Sequence, residues 1–239
     1  MGRQGVVKVQ PGGEGAGSTN AVDPSAETGK LGGSESPKRE KILVGILEEV
    51  GANGYEATSV RTVLARTGLY RQAFYDNFPD KDACFQHAFE AGVARLEALA
   101  GAAAAGRGEW RSKLRAGLAA VLEFLDAEPE IGRALIVEVH AAGPEPLRRR
   151  AETMKKITDF IDLARYEAEG DERPPNLAPE GIIAGIHAIV HSRLSTGAKS
   201  GFRGLLPEFM YFAVLPYFGA AAAAEEMRTA RTELERASA

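Results

Sequence analysis

From Pro37 onward the apolar residues of this chain recur at intervals of three and four, and almost every interruption of that rhythm is a glycine or a proline. Such spacing gathers side chains on one face of a helix, whereas a half-buried strand needs strict alternation, so the pattern admits helices and little else. Ile42, Leu43, Ile46, Leu47 and Val50 make the first face, with Ser36 available as N-cap ahead of Pro37 at the first helical position. Gly51 and Gly54 stop it. A second, short helix starts at Thr58 or Ser59, buries Val60, Val63 and Leu64, and closes at Thr67-Gly68. A third carries Leu69, Phe74 and Phe78 on its apolar face and Arg71, Gln72, Tyr75 and Asn77 on others, until Pro79 ends it.

Asp80 then caps a long helix that runs through Phe85, Phe89, Val93 and Leu96 towards the alanines before Gly106. Further helices are expected over residues 110–125, from Pro129 through Ile136, over about 146–168, about 179–196 and about 207–231, the last with a kink at Pro216. The fold class is therefore all-α. Residues 1–36 are rich in Gly, Ser, Thr, Ala and Pro without apolar periodicity, a composition that cannot offset the entropy of ordering, and are expected to form a disordered arm. The string Gly12 to Thr19 in this arm is a phosphate loop only superficially, because no strand precedes it and Ser18 stands where the phosphate-binding lysine belongs.

Bulk properties exclude more than they assign. A 44% hydrophobic and 26% charged composition is that of a chain with a sizeable core, and a net charge of −4 speaks neither for nor against a nucleic-acid partner. Cys84 is the sole cysteine, which rules out an intrachain disulfide framework and fits a reducing compartment, so a cytoplasmic location is expected. No uninterrupted apolar stretch of spanning length is read, since residues 209–224 are broken by Pro216 and Gly219, and no membrane partner is expected. The first 36 residues lack a secretory apolar region and carry Glu14, Asp23, Glu27 and Glu35. Neither a Ser-His-Asp or Cys-His constellation nor paired catalytic carboxylates can be read, so no enzyme activity, catalytic residue or cofactor is expected.

The stretch from Thr58 to Lys81 has the plan of a helix-turn-helix: a short helix, a glycine turn and a second short helix whose first residues can reach base edges in the major groove. Spacing alone fits any small helical hairpin with a glycine turn. The particular residues Thr58-Ser59-Val60-Arg61, Gly68-Leu69, Phe74-Tyr75 with Phe78, and the step Asp80-Lys81-Asp82 into a long helix resemble the TetR family of bacterial repressors. That resemblance implies a three-helix DNA-binding domain over residues 37–82, a larger helical effector and dimerisation domain over 83–231, and a tail over 232–239. It implies base contacts by Arg61, Arg71 and Gln72, and phosphate contacts by Tyr75, Asn77 and Lys81, with Tyr70 at the place of the cap before the recognition helix. Arginine pairs with guanine and glutamine with adenine, while a phenol, an amide and an ammonium suit phosphates. Tyr70, Asp76 and Asn77 depart from the usual family residues, and Asp76 would repel phosphate if it faced the duplex. Between Lys38 and Lys81 seven basic residues oppose six acidic ones, a small excess that predicts weak nonspecific binding.

The resemblance further implies a small apolar or amphipathic effector bound among the central helices of each subunit of a homodimer. Trp110, Phe124, His140, Met154, Phe160 and His187, together with Tyr166 and Met210, are the candidates for its lining, because pockets are mostly aromatic and aliphatic with a few polar groups. Taken singly, an aromatic or methionine at helical spacing is more often plain core. His187 and His191 are four apart, a chelating spacing without a readable third ligand, and no metal is expected. The dimer seam is expected on the last two helices at Ile182, Ile186, Ile189, Phe209 and Phe212, with recognition helices about 34–36 Å apart on a pseudo-palindromic operator. The alternative is a helical small-molecule sensor that has lost DNA binding, with Asp76 as its mark.

Overall fold

The computed structural model describes residues 36–168 and 174–237, and the structural statements that follow concern these. The arm 1–35 with its glycine-rich string 12–19, most of the polar loop at 169–173, and residues 238–239 lie outside the described residues. Nine α-helices and no strand occur among the described residues.

Local chemistry accounts for the first four. Helix α1 (Pro37–Asn53) starts with its proline at the first helical position, but Ser36 makes no side-chain cap bond, contrary to expectation. It ends where Gly54 adopts φ 88°, with its N–H on the Val50 carbonyl. Helix α2 (Val60–Thr67) opens on a reciprocal box in which the Ser59 hydroxyl accepts from the Thr62 N–H at 3.2 Å and Thr62 Oγ1 accepts from the Ser59 N–H at 3.0 Å. Gly68, at φ 65°, closes it in the left-handed region where a β-carbon is disfavoured. Helix α3 (Arg71–Tyr75) is shorter than its apolar face suggests, because Asp76 and Asn77 form a turn that leads the chain to Pro79. Asp80 caps α4 (Lys81–Ala104), its carboxylate accepting from the Ala83 N–H at 2.8 Å.

Helices α5 (Trp110–Ala127) and α6 (Pro129–Ile136) follow, then a 3-10 turn (Glu138–Ala141). Helix α7 (Pro144–Asp162) begins earlier than the expected residue 146, because Gly143 at φ 95° redirects the chain onto Pro144, whose ring is already set for a helix start. It also stops earlier, at Asp162, and passes into a 3-10 turn (Leu163–Tyr166). Helix α8 (Ala178–Ser195) and α9 (Leu206–Ala237) complete the chain. Helix α9 runs past the expected end at Arg231, and its break falls at Gly219 (φ 78°, ψ 174°) rather than at Pro216. Proline loosens the turn by removing one N–H, but only glycine adopts that backbone conformation cheaply.

All described residues belong to one unit with a continuous core. Helix α1 packs on α2, α4 and α6, burying Ile42, Ile46, Val50, Val63, Phe74, Phe78 and Phe85, while α5 packs between α4 and α9 around Trp110, Leu125 and Met210. At the α1–α6 crossing the backbones nearly touch. A β-carbon on Gly51 would lie 1.8 Å from the Glu130 carbonyl oxygen, so only glycine fits. By length and composition the stretch Arg203–Ala237 is apolar enough to cross a membrane, against the sequence expectation. Its apolar residues Phe209, Met210, Val214 and Tyr217 are buried against the fold, and its Glu226 is ion-paired with Arg115 and with Arg111 at 3.6 Å.

Candidate nucleic-acid interface

The box at Ser59 and the turn at Gly68 fix the angle between α2 and α3, and burial of Val63, Phe74 and Phe78 anchors both helices from below. What remains outward is polar. Arg61, Arg71 and Gln72 are exposed, Tyr75 is 43% exposed and Tyr70, a residue that burial would favour, is 87% exposed. Arg71 lies 5.3 Å from the Tyr75 ring centroid and within 3.5 Å of its hydroxyl, so the ring supports the guanidinium one turn above it.

The Gln72 amide donates to Asp76 Oδ1 at 2.6 Å, which orients the glutamine and gives the carboxylate a partner within its own helix end. Asn77 and Lys81 are half-buried, and each donates one hydrogen bond inside the protein. Asn77 donates to the Ala73 carbonyl at 2.8 Å. The Lys81 ammonium donates to the Tyr55 carbonyl at 3.1 Å and sits 4.0 Å from the centre of that ring. Arg66 is held by Glu49 at 2.9 Å. Burial alone would raise the Glu49 carboxyl, but hydrogen bonds from Arg66 and Asn53 outweigh it and hold the group below the usual range.

The family profile described as "Bacterial regulatory proteins, tetR family" matches residues 42–88, the span from the core of α1 to the first turns of α4. Residues 42–88 form a TetR-family DNA-binding domain. No curated protein sequence matches it. Solved structures share the fold at low identity. A TetR family transcription regulator from Marinobacter aquaeolei VT8 is 20% identical, with TM-score 0.59 over 74% of this chain and 93% of that one. A gamma-butyrolactone receptor described as ArpA-like is 17% identical, with TM-score 0.65 over 82% and 97%. The regulator FadR from Bacillus subtilis, in complex with stearoyl-CoA, is 17% identical, with TM-score 0.58 over 74% and 96%. By that domain this chain is a DNA-binding transcriptional regulator.

The second half of the chain brings only some of the expected effector residues together. Trp110 is buried, donates from its indole to the Phe160 carbonyl at 3.0 Å, and lies 6.5 Å from the Phe160 ring and 5.9 Å from Tyr217. Phe124 and Met210 are buried, with Arg95 over the Phe124 ring at 5.1 Å. Met154 is half-buried on α7, and His187 on α8 lies with Nε2 3.2 Å from an Arg150 nitrogen. His140 and Tyr166 are exposed, which removes Tyr166 in particular, at 84%, from any enclosed lining. The His187 and His191 rings are 6.0 Å apart, and His191 Nδ1 neighbours the Ser195 hydroxyl at 3.3 Å.

Of the residues expected at a dimer seam, Ile182 and Phe209 are buried within the protomer and are corrected to core. Phe212, about 60° round the helix from Phe209, lies at the margin of that cover and is 54% exposed, alongside Leu215, and Ile189 is exposed on α8. Ile186 is half-buried.

A chain of polar contacts that sequence reading missed joins the TetR DNA-binding helices to the rest. Arg133 on α6 donates to the Gly51 carbonyl at 3.0 Å and pairs with Glu138 at 2.9 Å, and Glu138 accepts from the Tyr55 N–H at 3.1 Å. The Tyr55 hydroxyl donates to Asp82 at 2.6 Å; burial first, and the Asp82 carboxylate next, push this phenol far above its usual pKa. Nothing in the spacing of Arg133, Glu138 and Tyr55 marks them, because, beyond the Arg133–Glu138 pair itself, the partners are 27 to 83 residues apart.

Proposed function

We propose that this TetR-family regulator is a homodimeric, cytoplasmic repressor that binds a pseudo-palindromic operator and leaves it when a small apolar or amphipathic molecule enters the helices of its larger half. The observation that carries the DNA contact is the exposed cluster Arg61, Tyr70, Arg71, Gln72 and Tyr75 on α2 and α3, with no burial to explain its aromatics. Arg61, Arg71 and Gln72 read bases, and Tyr70 and Tyr75 donate to phosphates. Lys81 reaches a phosphate with the protons that Tyr55 leaves free, and Asn77 acts by shaping the turn after α3.

Dimerisation uses Ile189, Phe212 and Leu215, next to exposed Gly181, Gly185 and Ala188, which let a partner helix approach closely. The two similar structures whose descriptions name a gamma-butyrolactone receptor and a stearoyl-CoA complex support a small-molecule input. Binding is felt at the DNA through α6 and its 3-10 turn, because Arg133 and Glu138 hold the end of α1 and the segment before α2. A ligand that favours a different α6 position must weaken DNA binding by the same free energy. The test is an operator-release assay with the full chain bound to its operator, in which Glu138→Gln lowers the ligand concentration dependence of release. Release unchanged in Glu138→Gln and in Arg133→Ala would remove this route.

A further inference from the structure

The apolar face of α7 contains one residue that does not belong to it. Leu147, Met154, Ile157 and Ile161 follow one another at helical spacing on the side packed against the core, and Arg150 stands in that row between Leu147 and Met154. Its neighbour Arg149 is bound by Glu90 and Glu97, and Arg95, Arg115, Arg133 and Arg165 each hold a carboxylate. Among the described residues Arg150 has no ion pair, and its Nε–H is buried without an acceptor. Its recorded polar neighbour is a histidine. A guanidinium can only donate, so His187 Nε2 accepts from Arg150 at 3.2 Å and carries its own proton on Nδ1.

The charged and titratable groups that act on His187 are Arg150, His191 and His140, and none is an acid. Burial first, and the Arg150 charge second, pull His187 down to about 4, so it is neutral near pH 7 and leaves the guanidinium charge uncompensated. A half-buried cation without a counter-charge is unfavourable unless something brings one. Met154 and Ile157 follow Arg150 one and two turns on along α7, and Ile183 and Ile186 precede His187 within a turn on α8; all four are half-buried, and the two helices pack on each other.

We propose that the effector of this regulator carries a terminal anion, a carboxylate or a phosphate, that docks on Arg150 beside His187, with its apolar body along α7 and α8. The proposal rests on the small-molecule reading above and names the chemistry of that molecule. The anion gives Arg150 its missing partner, and reaching the buried Nε–H requires the seam between α7 and α8 to open. Helix α6 packs on α8, so an opening of that seam would reach it.

The test is calorimetric titration of the full chain with decanoate, decyl phosphate and 1-decanol, which share one apolar body and differ in the head group. Binding of decanoate or decyl phosphate that falls about tenfold or more in Arg150→Met, with 1-decanol weak and unaffected, is the expected result, and the stronger of the two anions identifies the source. Arg150→Lys keeps part of the anion affinity, and Arg150→Met melts no lower than the parent chain, since the arginine it replaces has no counter-charge to lose and its one hydrogen bond is to a neutral ring. Equal binding of 1-decanol and the anions, or anion binding indifferent to Arg150→Met, overturns the anion site while leaving a small-molecule effector in place. Binding of none of the three overturns both readings.

Discussion

Asp76 and His187 show how much a single side chain's neighbours decide. In sequence Asp76 is an acid beside a recognition helix, yet in the fold its carboxylate holds the Gln72 amide. Asp76→Ala is therefore expected to act twice: nonspecific DNA affinity rises because a negative charge near the phosphates is gone, while discrimination between operator and random duplex falls because Gln72 loses its support. Filter binding at several salt concentrations separates the two, and unchanged discrimination would mean that Gln72 reads no base. For His187 the sign follows from a folded pKa of about 4 against about 6.5 in the unfolded chain. The unfolded state takes up the proton first, so stability declines as pH drops from about 6.5 towards 4, by up to about 2 kcal/mol between pH 7 and pH 5. Urea unfolding of His187→Gln at both pH values should show a flatter dependence, and an equal slope would contradict the assignment. Cys84, pushed up to about 12 by burial, needs no role in either account.

At the scale of elements the sequence is legible wherever the signal is local. Ser59, Gly68, Asp80 and Pro37 lie within a few residues of the groups they satisfy or the turn they shape, so their places can be read before any contact is known. Gly219 and Pro216 compete within one turn, and periodicity cannot say which of them yields. Likewise it places Phe209 and Phe212, three apart, on one broad side of α9 without telling where the protomer's cover ends. The Lys81 contact with Tyr55 and the Arg150 contact with His187 arise only when distant helices meet, and no spacing rule carries them. The α1–α6 crossing is of this kind, and it makes a sharp prediction. Gly51→Ala forces the backbones apart and should cost at least about 1–3 kcal/mol of stability, read as a lowered thermal midpoint. It should also weaken coupling between the halves, whereas Gly101→Ala, with open space around it, should do neither.

At the scale of the whole molecule, two properties of the proposal meet: one polar face on α2 and α3, and one apolar face on α8 and α9. If the second joins two copies, Phe212→Glu places a charge in the seam and converts a dimer to a monomer in sedimentation velocity, with operator affinity falling steeply because two half-sites no longer bind together. Glu225→Lys, an exposed change on the same helix beyond its break at Gly219, serves as the control. A monomeric parent chain would refute the seam. The most direct test of the central claim is fluorescence anisotropy of the full chain on duplex DNA from the region upstream of its own gene, with salt titrated and Arg71→Ala alongside. The account predicts saturable, salt-sensitive binding that weakens by about tenfold or more in Arg71→Ala, as loss of a bidentate base contact should. Absence of binding by the folded chain at low salt, or binding that Arg71→Ala leaves unchanged, would contradict it.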